Sequence, residues 1–159
     1  MQVQANQEAY MTVTTLQAET AGGDGIRAVA RASATTGWFG AGVNLLFAEC
    51  SRKTGAADTI SVGKAIGTTV TYLNEIDMGT DLVAPYTFGV QVIDDTIYCI
   101  IINGDSNTYS TSSTGANAVA GPGYIGVDED ASASGAVMDD FGGGALVLAG
   151  DVVVTIRRS

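Results

Sequence analysis

The strongest constraint on the fold is a recurrent pattern of short apolar segments, each followed by Gly, Asn, Asp or Ser. Most of these segments are too short or too rich in β-branched residues for helices, and the residues between them favour turns. Glycine accounts for 21 of the 159 residues and proline for only 2, which is consistent with many tight turns. The pattern predicts strands at residues 10–16, 25–33, 40–50, 59–62, 68–73, 86–93, 96–102, 123–127, 136–141 and 151–156.

The clearest local unit is a three-stranded meander. Residues 86–93 alternate between apolar and polar, residues 94–95 supply a turn, and residues 96–102 are apolar on both faces. Asn103-Gly104 predicts a type I′ hairpin into the third strand, because this dipeptide tolerates positive φ angles at both turn positions. We therefore expect a central middle strand that is buried on both faces. This arrangement favours an all-β, two-sheet antiparallel β-sandwich of the jelly-roll type.

The chain shows no internal repeat, linker or shift in composition, so we expect a single domain over residues 1–159. Residues 43–53 also have roughly helical apolar spacing, but the neighbouring glycines favour a strand. Cys50 and Cys99 lie in apolar segments, which favours buried free thiols over a disulfide bridge. The first residues do not resemble a secretory signal, and no apolar segment approaches the ~20 residues of a membrane span.

Charge excludes several functional classes. Seven Lys and Arg residues against 17 Asp and Glu residues give a net charge of −10, which disfavours binding to nucleic acid or to an anionic membrane. The chain contains no histidine, and histidine is the commonest general base and a common metal ligand. We therefore expect a protein that is not an enzyme and has no cofactor.

A succession of segments carries a family resemblance: residues 26–33 followed by Gly37-Trp38-Phe39, then residues 90–104, 120–127 and 138–141. Their order and spacing resemble the concanavalin A-like lectin/glucanase (laminin G-like) jelly roll, in the form common in bacteriophage structural proteins. The family-like core covers residues 8–144, and residues 145–159 add a C-terminal strand or arm.

The resemblance implies a non-enzymatic virion structural protein, most concretely a bacteriophage capsid decoration (cement) protein or another head or tail surface component. The implied partners are the major capsid protein or another virion protein, with further copies of the chain in a dimer or trimer. Its location would be the virion, assembled in the host cytoplasm. The alternative is a carbohydrate-binding, lectin-like module that recognises host glycan.

Glycoside hydrolases that share this superfold carry acids that alternate along one strand, often as Glu-x-Asp-x-x-Glu or Glu-x-Asp-x-Glu, and two acidic segments of the chain match part of this pattern. Glu75-Ile76-Asp77 lacks the third acid, and Asp128-Glu129-Asp130 runs into a loop of small residues. No catalytic residue is therefore predicted. Asp128, Glu129 and Asp130 could also approach Asp139 and Asp140 and bind Ca²⁺ through carboxylates, but no EF-hand loop is present and no metal ligand is assigned.

The predicted interaction site combines one aromatic residue with the C-terminal arm. Trp38, if it points outward, would stack on a sugar or anchor a protein interface, although a lone Trp is more often a packing residue. The arm joins a Val-rich strand to two arginines in an acidic chain, which suits contact with another subunit. The residues of this site are Trp38, Val152, Val154, Ile156, Arg157 and Arg158.

Overall fold

The computed structural model describes residues 6–19, 21, 25–34, 42–121, 123–129 and 135–145. These residues form ten strands and a single 3₁₀ turn at Ala116–Ala118. The strands are β1 (Gln7–Thr15), β2 (Gly25–Ala32), β3 (Leu45–Ser51), β4 (Thr59–Ile66), β5 (Thr69–Asp77), β6 (Tyr86–Ile93), β7 (Thr96–Ile102), β8 (Thr108–Thr114), β9 (Tyr124–Glu129) and β10 (Val137–Ala145).

The strands form two five-stranded sheets. Sheet I has the order β10-β1-β6-β7-β8, and sheet II has the order β5-β4-β3-β2-β9. Every neighbouring pair of strands is antiparallel. The predicted two-sheet antiparallel β-sandwich is therefore confirmed.

The main core lies between the sheets and follows the alternation of each strand. In β6, Tyr86, Phe88, Val90 and Val92 are buried, and the residues between them are half-buried on the outer face. The opposing side chains include Leu46, Ala48 and Cys50 of β3 and Ile60 and Val62 of β4. Because successive side chains alternate between faces, the core positions also identify the residues on the outer face of each strand.

The doubly buried strands are β2 and β3, and not the meander strand β7 as predicted. Val29, Leu45 and Phe47 are fully buried on the outer face of sheet II, in a second apolar cluster that includes Ala65. In β7 the inner residues are buried, but Ile100 is only half-buried and Ile102 is 39% exposed. Within the residues that the structure describes, no further layer covers the apolar outer face of β7.

The bounds predicted for β6 and β7 agree with the structure, and residues 43–53 contain strand β3 and not a helix. The prediction of a type I′ turn at Asn103-Gly104 was wrong. Ser106 N–H donates to the Asn103 carbonyl (2.9 Å), and Ser106 has the left-handed φ of 69°. Gly104 is needed for a different reason, since a Cβ there would overlap the Val83 carbonyl of the adjacent loop.

Side-chain amides join the two sheets at both sides of the sandwich. At one side, Gln7 of β1 donates to the Gly123 carbonyl (2.8 Å) and accepts from the Arg31 N–H (2.8 Å). At the other side, Asn74 of β5 donates to Thr111 Oγ1 (2.9 Å) and to the Ser112 carbonyl (3.2 Å) of β8. The two sheets are thus connected near both sides of the sandwich by directional bonds as well as by the core.

Candidate functional site

A furrow crosses the open outer face of sheet I. Its lining includes Glu8 and Tyr10 of β1, Gly89 and Gln91 of β6, and Ile100 and Ile102 of β7. Gly89 pairs with Tyr10 on one side and with Ile100 on the other, so the missing side chain of Gly89 forms the floor between two larger residues. We call this surface, together with the outer residues of β8, the furrow face.

Two glycines shape the furrow. A Cβ at Gly89 would lie 2.7 Å from the Ala9 carbonyl oxygen, so glycine allows the close approach of β1. A Cβ at Gly142 of β10 would lie 2.6 Å from the Tyr10 hydroxyl oxygen. The Tyr10 ring therefore extends over Gly142, away from Gly89, and leaves the floor of the furrow uncovered.

The furrow face is uncharged across three strands. The outer residues of β6, β7 and β8 are Thr, Ser, Gly, Gln, Ile and Tyr, and all of them are described by the structure. On β1, Glu8 contributes a carboxylate, which accepts from Gln91 Nε2 (3.4 Å). The net charge of −10 is therefore carried mainly elsewhere on the molecule.

The outer face of sheet II carries a buried polar cluster. Glu49 forms a short ion pair with Arg27 Nε, and its carboxylate also accepts from Ser51 Oγ (2.9 Å) and Tyr72 OH (3.0 and 3.2 Å). Arg27 Nη1 reaches Asp128 (3.3 Å) on the neighbouring edge strand. Burial opposes the charge of Arg27, but Glu49 and the hydrogen bonds of the cluster outweigh it and raise the pKa of Arg27.

The same cluster perturbs Tyr72. Burial, together with the charge of Glu49, raises the pKa of Tyr72 to about 12. The phenol therefore stays protonated at neutral pH and donates to Glu49. Since donors surround the carboxylate of Glu49, the cluster is an internal clamp between β2, β3 and β5 and has the character of a structural site.

No family model, curated protein or solved structure matches the chain. In the part of the chain that the structure describes, no helix is both long enough and apolar enough to cross a membrane.

The predicted acidic segments occupy separate positions. Glu75 accepts from Lys53 Nζ (3.1 Å), and Asp77 accepts from the Gly79 N–H (2.6 Å) in a turn. Asp128 and Glu129 lie on β9 and Asp139 and Asp140 on β10, and these two edge strands lie at the same side of the sandwich, where Ile125 approaches Gly143. Asp130 is outside the described residues. Within the described residues, no group of three or more His, Cys, Asp or Glu side chains is placed to hold a metal ion.

The predicted interaction residues lie outside the described part of the chain: Trp38, Val152, Val154, Ile156, Arg157 and Arg158. The furrow was not predicted from the sequence. Two sequence features indicate it: the glycine in an otherwise alternating strand, and the apolar residues on both faces of residues 96–102. That second feature indicated burial, whereas the structure leaves the outer face open.

Proposed function

We propose that the chain is a non-enzymatic structural protein of a bacteriophage virion, most concretely a capsid decoration protein or another surface component of the head or tail. The observation that carries this proposal is the uncharged furrow face on a strongly acidic chain. The cores of protein interfaces are depleted of charge, and Ile100 and Ile102 supply apolar side chains within this uncharged face. Such a face suits assembly into a larger particle.

Charge and family resemblance support the same function. A net charge of −10 disfavours a position facing packaged DNA and favours the outside of a shell. The resemblance to jelly rolls of phage structural proteins supplies the viral context. By binding only the assembled shell, the protein would stabilise it through mass action.

Co-sedimentation with empty shells of major capsid protein tests the proposal. Ile102 lies on the furrow face and is 39% exposed, and Ile66 lies on sheet II and is 40% exposed. We expect the wild type and Ile66→Asp to sediment with shells and Ile102→Asp to remain largely in the supernatant. A wild type that does not bind shells, or two variants that bind equally, would contradict the proposal.

Glycan binding is a second candidate, favoured by the Tyr10 ring beside the furrow and by the polar pair Glu8 and Gln91 at one end. Aromatic walls with a few convergent polar groups are typical of sugar sites. On a glycan array, Tyr10→Ala should lose binding while Tyr124→Ala, at an exposed site on sheet II, should retain it. Loss of binding on addition of a chelator would assign a role to Ca²⁺.

A further inference from the structure

We propose that the furrow face pairs with the furrow face of a second copy, about a two-fold axis that runs between β6 and β7, parallel to the strands. The inference rests on the proposed function only in treating this face as a protein contact: in solution the second copy occupies the face, and on a shell the shell protein displaces it. It does not depend on the presence of a shell.

Charge favours a second copy as the occupant. A partner selected for an acidic chain would be basic, and its binding face on this molecule would display acids. The outer residues of β6, β7 and β8 display none. Another copy carries the same net charge of −10, so two copies approach without strong repulsion only through an uncharged face.

Shape makes the face complementary to itself. Gly89 of β6 and Ile100 of β7 are direct cross-strand partners, so a hollow and a ridge lie side by side. A two-fold axis between these strands places the Ile100 side chain of each copy over Gly89 of the other. It also places Ile102 of each copy over Thr87 of the other, because these residues form the next outward pair. An isologous contact requires this kind of complementarity.

The position of Glu8 is compatible with the same two-fold axis. Register connects Glu8 to Gln91, Gln91 to Tyr98, and Tyr98 to Ser112, so these residues form one row across the sheet. Rotation about the proposed axis exchanges β1 with β8. Each Glu8 therefore faces the Ser112 hydroxyl of the other copy, and the two carboxylates stay apart.

The size of the face indicates how tightly two copies should associate, and so which protein concentrations the experiment must cover. Four strands of seven residues cover about 20 Å by about 23 Å, from the usual strand spacing and rise. Two such faces bury about 900 Å² in total, which is below the ~1,200 Å² of stable interfaces and typical of weak, transient association, so the dimer should form only at high concentration. Sedimentation velocity of the full chain, without shells and over a wide concentration range, measures this association.

We expect a reversible dimer for the wild type and for Ile66→Asp. In Ile102→Asp the buried carboxylate should raise the dimer dissociation constant about a hundredfold or more. A wild type that is monomeric at every concentration would overturn the inference, as would a dimer that both variants weaken equally. If the wild type is a monomer in the absence of shells and Ile102→Asp fails to bind shells, a shell protein and not a second copy occupies the face. A dimer that depends on the furrow but does not bind shells would contradict the virion function and leave the dimer inference intact.

A second variant tests the axis without placing a charge in the furrow. Ser112 is exposed on β8, so Ser112→Lys should fold normally. The lysine would face Glu8 of the other copy and should tighten the dimer about fivefold. Adding Glu8→Gln should cancel the gain. A gain that persists in the double variant, or no gain at all, would overturn the axis.

Discussion

The ring of Phe47 meets the ring of Tyr72 edge to face across strand β4, with centroids 5.5 Å apart and an interplanar angle of 89°. The contact crosses Gly63, where a Cβ would overlap the Phe47 ring and would also lie 2.7 Å from the Thr71 carbonyl oxygen. A register shift between Val62 and Gly63 brings Tyr72 to this face. One glycine and one bulge therefore bring the Tyr72 hydroxyl to Glu49.

Gly63→Ala should destabilise the fold by about 1–3 kcal/mol, because a methyl group at this position displaces the buried Phe47 ring and also overlaps the Thr71 carbonyl oxygen. Urea denaturation measures the change. Combining it with Phe47→Leu, which removes the overlapping ring atoms, should give a double variant that loses less stability than the sum of the two single changes. Additive losses would show that Gly63 acts independently of Phe47.

Glu49→Gln should cost about 3 kcal/mol of unfolding free energy, because it leaves the buried Arg27 without its closest counter-charge. The matched control is Glu75→Gln, which removes the exposed ion pair with Lys53 and should cost less than about 1 kcal/mol. Thermal and urea denaturation measure both losses, and equal losses for the two variants would contradict the assignment of the cluster as a clamp.

Local patterns in the sequence predicted most of the strands, since alternation and turn residues act over a few positions. The contacts of Arg27 with Glu49 and Asp128 could not be predicted, because they join three strands that are distant in sequence. The furrow was predicted as core, because apolar residues on both faces of β7 do not reveal whether another layer covers them. The bulge at Leu73, opposite Val62 and Gly63, was likewise not predicted, because it depends on contacts made after the strands pair.

Both thiols should be unreactive in the folded protein. Cys50 and Cys99 are free and buried, as predicted. Burial raises the pKa of Cys50 to about 12 and also raises the pKa of Cys99, so almost no thiolate forms at pH 8. A thiol-specific chromogenic disulfide should label neither cysteine in buffer and both in denaturant. Rapid labelling of the native protein would contradict this burial.

Asp58 should give the fold a specific pH dependence. Its carboxylate accepts from the Lys53 N–H (2.9 Å) and the Leu82 N–H (2.7 Å), yet burial raises its pKa. The folded state therefore binds the proton more tightly than the unfolded state. The resulting stability is complete below the unfolded pKa of about 3.9 and is lost as pH rises through the higher folded pKa.

Urea denaturation at a series of pH values checks this dependence against Asp58→Asn, which cannot titrate. The unfolding free energy of the wild type, relative to that of the variant, should be greatest in acid and should decline as pH rises. A difference that is constant, or that increases with pH, would contradict the raised pKa.

The amides of Gln7 and Asn74 also determine how the sandwich bears mechanical load. Apolar contact has no preferred direction, so a core alone resists sliding of one layer over the other only weakly. These hydrogen bonds lie at opposite sides of the layers, and each joins sheet I to sheet II. A shearing force is therefore opposed at both sides of the sandwich by these amides, and between them by the hydrogen bond that joins Cys50 Sγ and Tyr86 OH (3.3 Å).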